Sequence, residues 1–176
     1  LYDSSITAIV GTAASKDTSY AASYWPWCMV TDPDSAQRVW VPGGTLIPGV
    51  YAANDRTAEA WFAPAGINRG GLGQVVQAER KLTQANRDTL YVGKVNPIAT
   101  FPGRGVVVFG QKTLQTQASA LDRVNVRRLL IALKNYISQI SDNLVFEQNT
   151  AATRNVFLGQ VNPYLESVQQ RQGLYA

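Results

Sequence analysis

Apolar positions in this chain come in short blocks whose period changes along its length. Residues 6–10 (I-T-A-I-V) are apolar and β-branched and end at Gly11, the pattern of a buried strand. Residues 16–24 suit a short helix, with Asp17 or Thr18 as N-cap and Pro26 as its stop. Residues 27–31 read as a strand and residues 38–41 as its returning partner in a hairpin. Between them, Asp32-Pro33-Asp34-Ser35 reads as a turn in which Pro33 presets φ and the acidic side chains bond nearby backbone. After the Pro42-Gly43-Gly44 corner, Thr45 is placed to cap a helix from 46 to about 54, with Pro48 tolerated in its first turn.

Residues 60–73, rich in Gly, Ala and Pro, predict an extended surface segment anchored by Trp61 and Phe62. Residues 79–94 have helical spacing through Leu82, Ala85 and Leu90, and Asn96-Pro97 punctuates them. Residues 98–101 and 106–109 read as strands on either side of Pro102-Gly103-Arg104-Gly105. The unbroken apolar run at 106–109 predicts burial on both faces, as in parallel sheets. Residues 114–120 are polar and read as a linker. The strongest helix follows over 122–143: Val126, Leu129, Leu130, Leu133, Ile137 and Ile140 form one apolar face and leave Arg123, Arg127, Arg128 and Lys134 off it. Asp142-Asn143 breaks it and residues 146–149 form a turn. Thr150 caps a helix to about 158, Asn162 caps another with Pro163 at its first position, and Gly173 closes that one.

Composition narrows the chemistry. Of the 176 residues 45% are apolar and 16% charged, which suits a folded core and argues against disorder. No apolar run approaches the ~20 residues needed to span a bilayer, so membrane insertion is not expected, and the start lacks the basic and apolar blocks of a secretion signal. The single cysteine, Cys28, forms no internal disulfide; it lies among apolar residues and is expected to be a buried small hydrophobe made in a reducing cytosol. The absence of histidine removes the usual general base and the commonest metal ligand, so no catalytic, metal or cofactor-binding residues are expected. Asp32, Asp34 and Asp55 are the candidate carboxylates for a hydrolytic pair, and their places in a turn and at a helix end favour structural roles. Neither Gly43-Gly44 nor Gly103-Arg104-Gly105 has the surroundings of a phosphate or dinucleotide loop.

Charge is balanced over residues 1–100, and the whole net charge of +4 falls in 101–176. The 122–143 helix carries half of the basic residues of that part. They read either as a solvated face on a core-packed helix or as a docking face for an acidic protein surface. Direct contact with nucleic acid is a poorer reading, since Tyr136 is the only aromatic interleaved with the basic residues.

Taken in order, Y-W-P-W at 24–27, D-P-D-S at 32–35, V-W-V-P-G-G at 39–44, Pro48-Gly49-Val50 with Asn54-Asp55-Arg56, and W-F-A-P-A-G at 61–66 resemble the core of contractile tail sheath proteins, the T-even-type phage sheath above all. So do residues 95–130, F-E-Q-N at 146–149 and Gln172-Gly173-Leu174. The family often has Trp and Arg where this chain has Phe109 and Lys112; Phe keeps an apolar plug, whereas Lys loses the bidentate geometry of Arg.

The resemblance implies an α/β (α+β) fold: a mixed sheet flanked by helices, as a partial core domain over residues 1–113, then a mostly helical C-terminal module over 114–176 that stops before its terminal strands. The chain would be an internal fragment of a larger protein, since it begins with Leu1 and ends at Ala176. It implies a structural subunit, not an enzyme, of a contractile tail in the virion, synthesised in the host cytoplasm. That subunit polymerises as stacked hexameric rings around an inner tail tube, meets baseplate and tail terminator proteins, and contracts to drive the tube through the host envelope. The expected tube or subunit contacts are Arg123, Arg127, Arg128 and Lys134. The sheath of a bacteriocin or secretion device is the near alternative. A hydrolase domain with catalytic residues outside this stretch, and a nucleic-acid-binding structural protein, are the distant ones.

Overall fold

Two three-stranded sheets share the N-terminal two thirds of the chain, and two long helices complete it. The computed structural model describes residues 5–175. The elements run α1 (Ile6–Ala14), β1 (Ser23–Trp25), β2 (Cys28–Thr31), β3 (Arg38–Val41), α2 (Gly43–Thr57), β4 (Val75–Ala78), α3 (Gln84–Val92), β5 (Val95–Phe101), β6 (Gly105–Val108), a 3₁₀ turn (Ala120–Asp122), α4 (Val124–Asp142) and α5 (Ala151–Gln170). One sheet has the order β1-β5-β6, the other β3-β2-β4. The mixed character is real: β1 and β5 are parallel, with Trp25 opposite Pro97, and every other named strand pair is antiparallel.

Several local expectations change. Residues 6–10 are helical, not a strand. Ser5 accepts from the Ala8 N–H as N-cap, and Ile6, Ile9, Val10 and Ala13 face one core, a period of three to four that the β-branched content masked. Residues 16–24 form no helix. Asp17 spends its carboxylate on the Thr116 N–H, 2.7 Å away, and residues from Ser23 are drawn into β1. The helix expected over 79–94 is shortened to α3. Thr83 caps it, and the Glu79 N–H bonds to the Trp27 carbonyl as the chain leaves β4, a strand the sequence reading missed.

The hairpin of β2 and β3 forms as expected, with Met29 opposite Trp40 and Val30 opposite Val39. α2 starts earlier than expected, at Gly43, because the Thr45 hydroxyl donates to the Pro42 carbonyl (2.7 Å) instead of capping. Gly43 is required there: a Cβ would lie 2.5 Å from Ile98 and 2.7 Å from the Pro26 carbonyl oxygen. β6 is buried at Val106, Val107 and Val108, as its apolar run predicts, but its partner β5 is antiparallel. Its outer edge is closed by residues 66–72, where Gly66 and Leu72 donate to Val108 and Val106 and Val108 donates to Gly70.

Cys28 is fully buried against Ile47, Val50, Ile98 and Val108, and desolvation pushes its thiol up to about 12. It should resist a thiol-specific reagent at pH 8 in the native state and react at once on unfolding. Native labelling at the unfolded rate would contradict this packing.

The segment read as a linker is anchored: Leu114 is buried and its N–H bonds to the Ala21 carbonyl. The two helices expected after Thr150 are one. Pro163 lies inside α5, on a surface where the freed Gly159 carbonyl meets water, and Val161, Tyr164, Leu165 and Val168 give the helix an inward side across that point. α5 ends in a Schellman turn. Gln172 holds φ +63, its N–H bonds to Gln169, and the Gly173 N–H bonds to Val168 (2.8 Å). Since Gln carries a Cβ penalty at that φ, Gln172→Gly is expected to raise stability by about 0.5–1 kcal/mol in denaturant titration; a loss would show that the Gln side chain stabilises the turn.

Candidate assembly surface

The start of α4 is tied back to the segment that leaves β6. The Val124 N–H bonds to the Gln111 carbonyl, and the Thr113 hydroxyl and N–H bond to the Leu121 and Asp122 carbonyls. This fixes the helix axis, and Leu129, Leu133, Trp61 and Val168 form the core beneath it. The four basic residues singled out in the sequence then fall into different surroundings.

Arg127 is buried. Its guanidinium donates to the Ser19 hydroxyl and lies 4.1 Å from the centre of the Tyr20 ring, while its Nε meets no acceptor. Arg128 reaches back to α2, where Nη2 donates to both Asp55 carboxylate oxygens, at 2.8 and 2.6 Å, and the guanidinium covers the Tyr51 ring at 4.7 Å. Tyr51 in turn shares a 2.9 Å hydrogen bond with Tyr24. Burial pushes both phenols above their usual range, so both stay neutral. Arg123 donates to Asp122 and to the Tyr91 hydroxyl, with part of its side chain exposed. Lys134 is exposed and has no ion pair or hydrogen bond among the described residues.

Two of the four thus clasp α4 to the sheet region. In a double-mutant cycle, Arg128→Ala and Asp55→Ala should show a coupling of ~1 kcal/mol, because the pair is half-open to solvent. Additive effects would mean that the contact is incidental.

Trp61 is the second attachment. Its indole N–H donates to the Arg171 carbonyl at 3.0 Å, its own carbonyl accepts from Asn125, and Arg171 covers the ring at 5.2 Å while pairing with Glu59. Trp61 is an anchor, as its sequence context predicts, but its partner lies 110 residues away, beyond the reach of any local pattern.

Asn96, read there as punctuation, is fully buried and ties three segments. Its amide donates to the Ser23 and Lys112 carbonyls (3.1 and 2.8 Å), and its oxygen accepts from the Lys112 N–H (2.6 Å). The usable signal was a lone polar residue inside an apolar run.

The carboxylates weighed as a hydrolytic pair do other work. Asp55 holds Arg128. Asp32 accepts from the Ser35 hydroxyl and the Asp34 N–H, which holds its carboxyl below the usual range.

Against known proteins, the sequence is 38% identical over 158 residues to the tail sheath protein of Vibrio phage KVP40, covering 90% of this chain and 24% of that protein. It is 38% identical over 136 residues to the tail sheath protein of Enterobacteria phage T4, covering 77% and 21%. Over most of its own length the chain matches tail sheath proteins. No protein-family model matches it. Its fold superposes with a TM-score of 0.85 on the sheath complex, in the contracted state, of an extracellular contractile injection system, at 26% identity over 99% of this chain and 48% of that one. The chain spans about a quarter of the length of the tail sheath proteins it matches. The α/β (α+β) class with a helical C-terminal part therefore matches that of sheath structures.

Proposed function

We propose that the full protein is the structural subunit of a contractile phage tail sheath. It polymerises as stacked hexameric rings around an inner tail tube and contracts to drive the tube through the host envelope. The observation that carries this is the 38% identity to phage tail sheath proteins over most of the chain. The higher identity to phage sheaths than to the injection-system sheath favours a virion over a secretion device.

The subunit works without catalysis, cofactor or nucleotide. The energy of contraction comes from better contacts between subunits than those of the extended assembly. Baseplate and terminator proteins bound the polymer at its two ends, and the protein is made in the host cytoplasm.

α4 faces the tube. Lys134 and the exposed part of Arg123 supply the contact to acidic groups, while Arg127 and Arg128 hold the helix at the right height. Exposed ion pairs suit a contact that must break on contraction, since each contributes only ~0–1 kcal/mol.

The full-length protein, expressed alone and viewed by negative-stain electron microscopy, should form long striated tubes. Monomers that persist after addition of the inner tube protein would overturn the reading. Reversing Arg123 and Lys134 to Glu should weaken tube-templated assembly and leave self-assembly intact.

A further inference from the structure

A cleft of about 590 Å³ opens between α3 and the outer end of β6. Arg87, Asp88, Tyr91, Pro97, Phe109 and Gln111 are among the residues that line it. The Arg87 guanidinium lies 5.2 Å from the Phe101 ring centre and 5.8 Å from that of Phe109, a residue that stays partly exposed. Beside it, Lys112 Nζ lies 4.7 Å over the Tyr91 ring. Neither cation has a carboxylate within ion-pair distance among the described residues. Asp122, which follows Lys112 in sequence, is taken by Arg123, and Asp88, next to Arg87, lines the cleft exposed on α3. The Gln111 side-chain oxygen is buried with no donor. Cations laid on ring faces are fixed in place and partly dehydrated, which prepares them for an anionic group brought from outside.

The chain carries a segment of the matching kind. The tip of the β2–β3 hairpin presents Asp32 and Asp34, two carboxylates separated by one residue and without a cation partner among the described residues. Bonds from the Asp34 N–H and Ser35 hydroxyl to the Asp32 side chain, and from the Ala36 N–H to the Asp32 carbonyl, make it rigid. The Asp34 carboxylate accepts nothing among the described residues and is exposed. Of the other carboxylates, Asp17 is held by the Thr116 N–H, Asp55 by Arg128 and Glu59 by Arg171, while Glu79 after β4 and Asp88 on α3 are exposed and have no ion pair among the described residues.

We propose that the 32–35 tip of one subunit docks into this cleft on the next subunit, with Asp34 between Lys112 and Arg87. The proposal rests on the reading of the protein as a self-assembling sheath subunit. Tip and cleft are different surfaces of one chain, so the contact is head-to-tail and propagates, closing into a ring or running on as a helix. A rigid tip meeting fixed cations loses little freedom on binding.

The test uses the full-length protein. Lys112→Glu and Asp34→Lys should each raise the concentration needed for assembly about tenfold in a sedimentation assay, with circular dichroism unchanged. The two variants mixed, or combined in one chain, should restore assembly. Single variants that assemble as well as the parent, or a pair that gives no rescue, would overturn the contact.

A second measurement does not require polymer. Carbodiimide joins a carboxylate to an amine in direct contact, so a mixture of isotope-labelled and unlabelled copies should give an intermolecular Asp34–Lys112 bond. Its absence at high protein concentration would overturn the proposal. Failure of the parent protein to form tubes strikes the sheath reading instead, and the cross-link decides the contact independently.

Discussion

Replacing Asn96 with Leu is expected to remove about 3–5 kcal/mol of stability and lower the thermal midpoint by about 10 °C. The two side chains are close in size, so little cavity is created. What is lost is the set of three hydrogen bonds to the Ser23 carbonyl and to the carbonyl and N–H of Lys112. Each of these backbone groups is left in a region that water reaches poorly, and an unmade buried bond costs about 1–3 kcal/mol. The site cannot relax, because β5 is parallel to β1 on one side and antiparallel to β6 on the other. Gly110 also packs so close that a Cβ there would lie 2.9 Å from the Asn96 oxygen. Denaturant titration should show a lower midpoint at unchanged slope. A loss under about 1 kcal/mol would mean that water takes over the three groups and that Asn96 is not the weld between the strands.

The second large effect is expected from Trp61→Ala, about 3–5 kcal/mol. The ring fills the core shared with Leu129, Leu133 and Val168, and its N–H satisfies the Arg171 carbonyl at the end of α5. Removal therefore opens a cavity and orphans a helix C-terminal carbonyl together. The loss should be uneven. Amide exchange in the last turns of α5 should accelerate towards free-chain rates while β5 stays protected, since β5 belongs to a different core. Trp61→Phe separates the terms: it keeps most of the packing, loses the hydrogen bond, and should cost about 1 kcal/mol. Uniform acceleration through both regions in Trp61→Ala would show that the two helices and the sheets unfold as one unit.

Elements whose signals are local can be read from the residues alone. The hairpin at 28–41 was legible because Asp32 and Pro33 act within four residues. α4 was legible because nineteen residues keep one apolar stripe. The order of weak motifs along the chain was enough to point to the sheath family, and the burial of Cys28 followed from its apolar neighbours.

Features that depend on partners far along the chain emerge only from the packing. Residues 6–10 have a β-branched composition that suits a strand, and only the core containing Trp25, Leu90 and Val95 selects the helix. Pro163 reads as a helix start, and the packing of Val161 and Val168 carries the helix through it. The basic residues of α4 look alike in sequence. Arg127 and Arg128 became internal clasps because Ser19, Tyr20 and Asp55 lie beneath them, while Lys134 was left in solvent. The cleft and its rim likewise bring Arg87 of α3 together with Phe101, Phe109 and Lys112. Charge and periodicity are properties of a residue and its near neighbours. Whether a cation faces a carboxylate, a ring or water is a property of the packed fold.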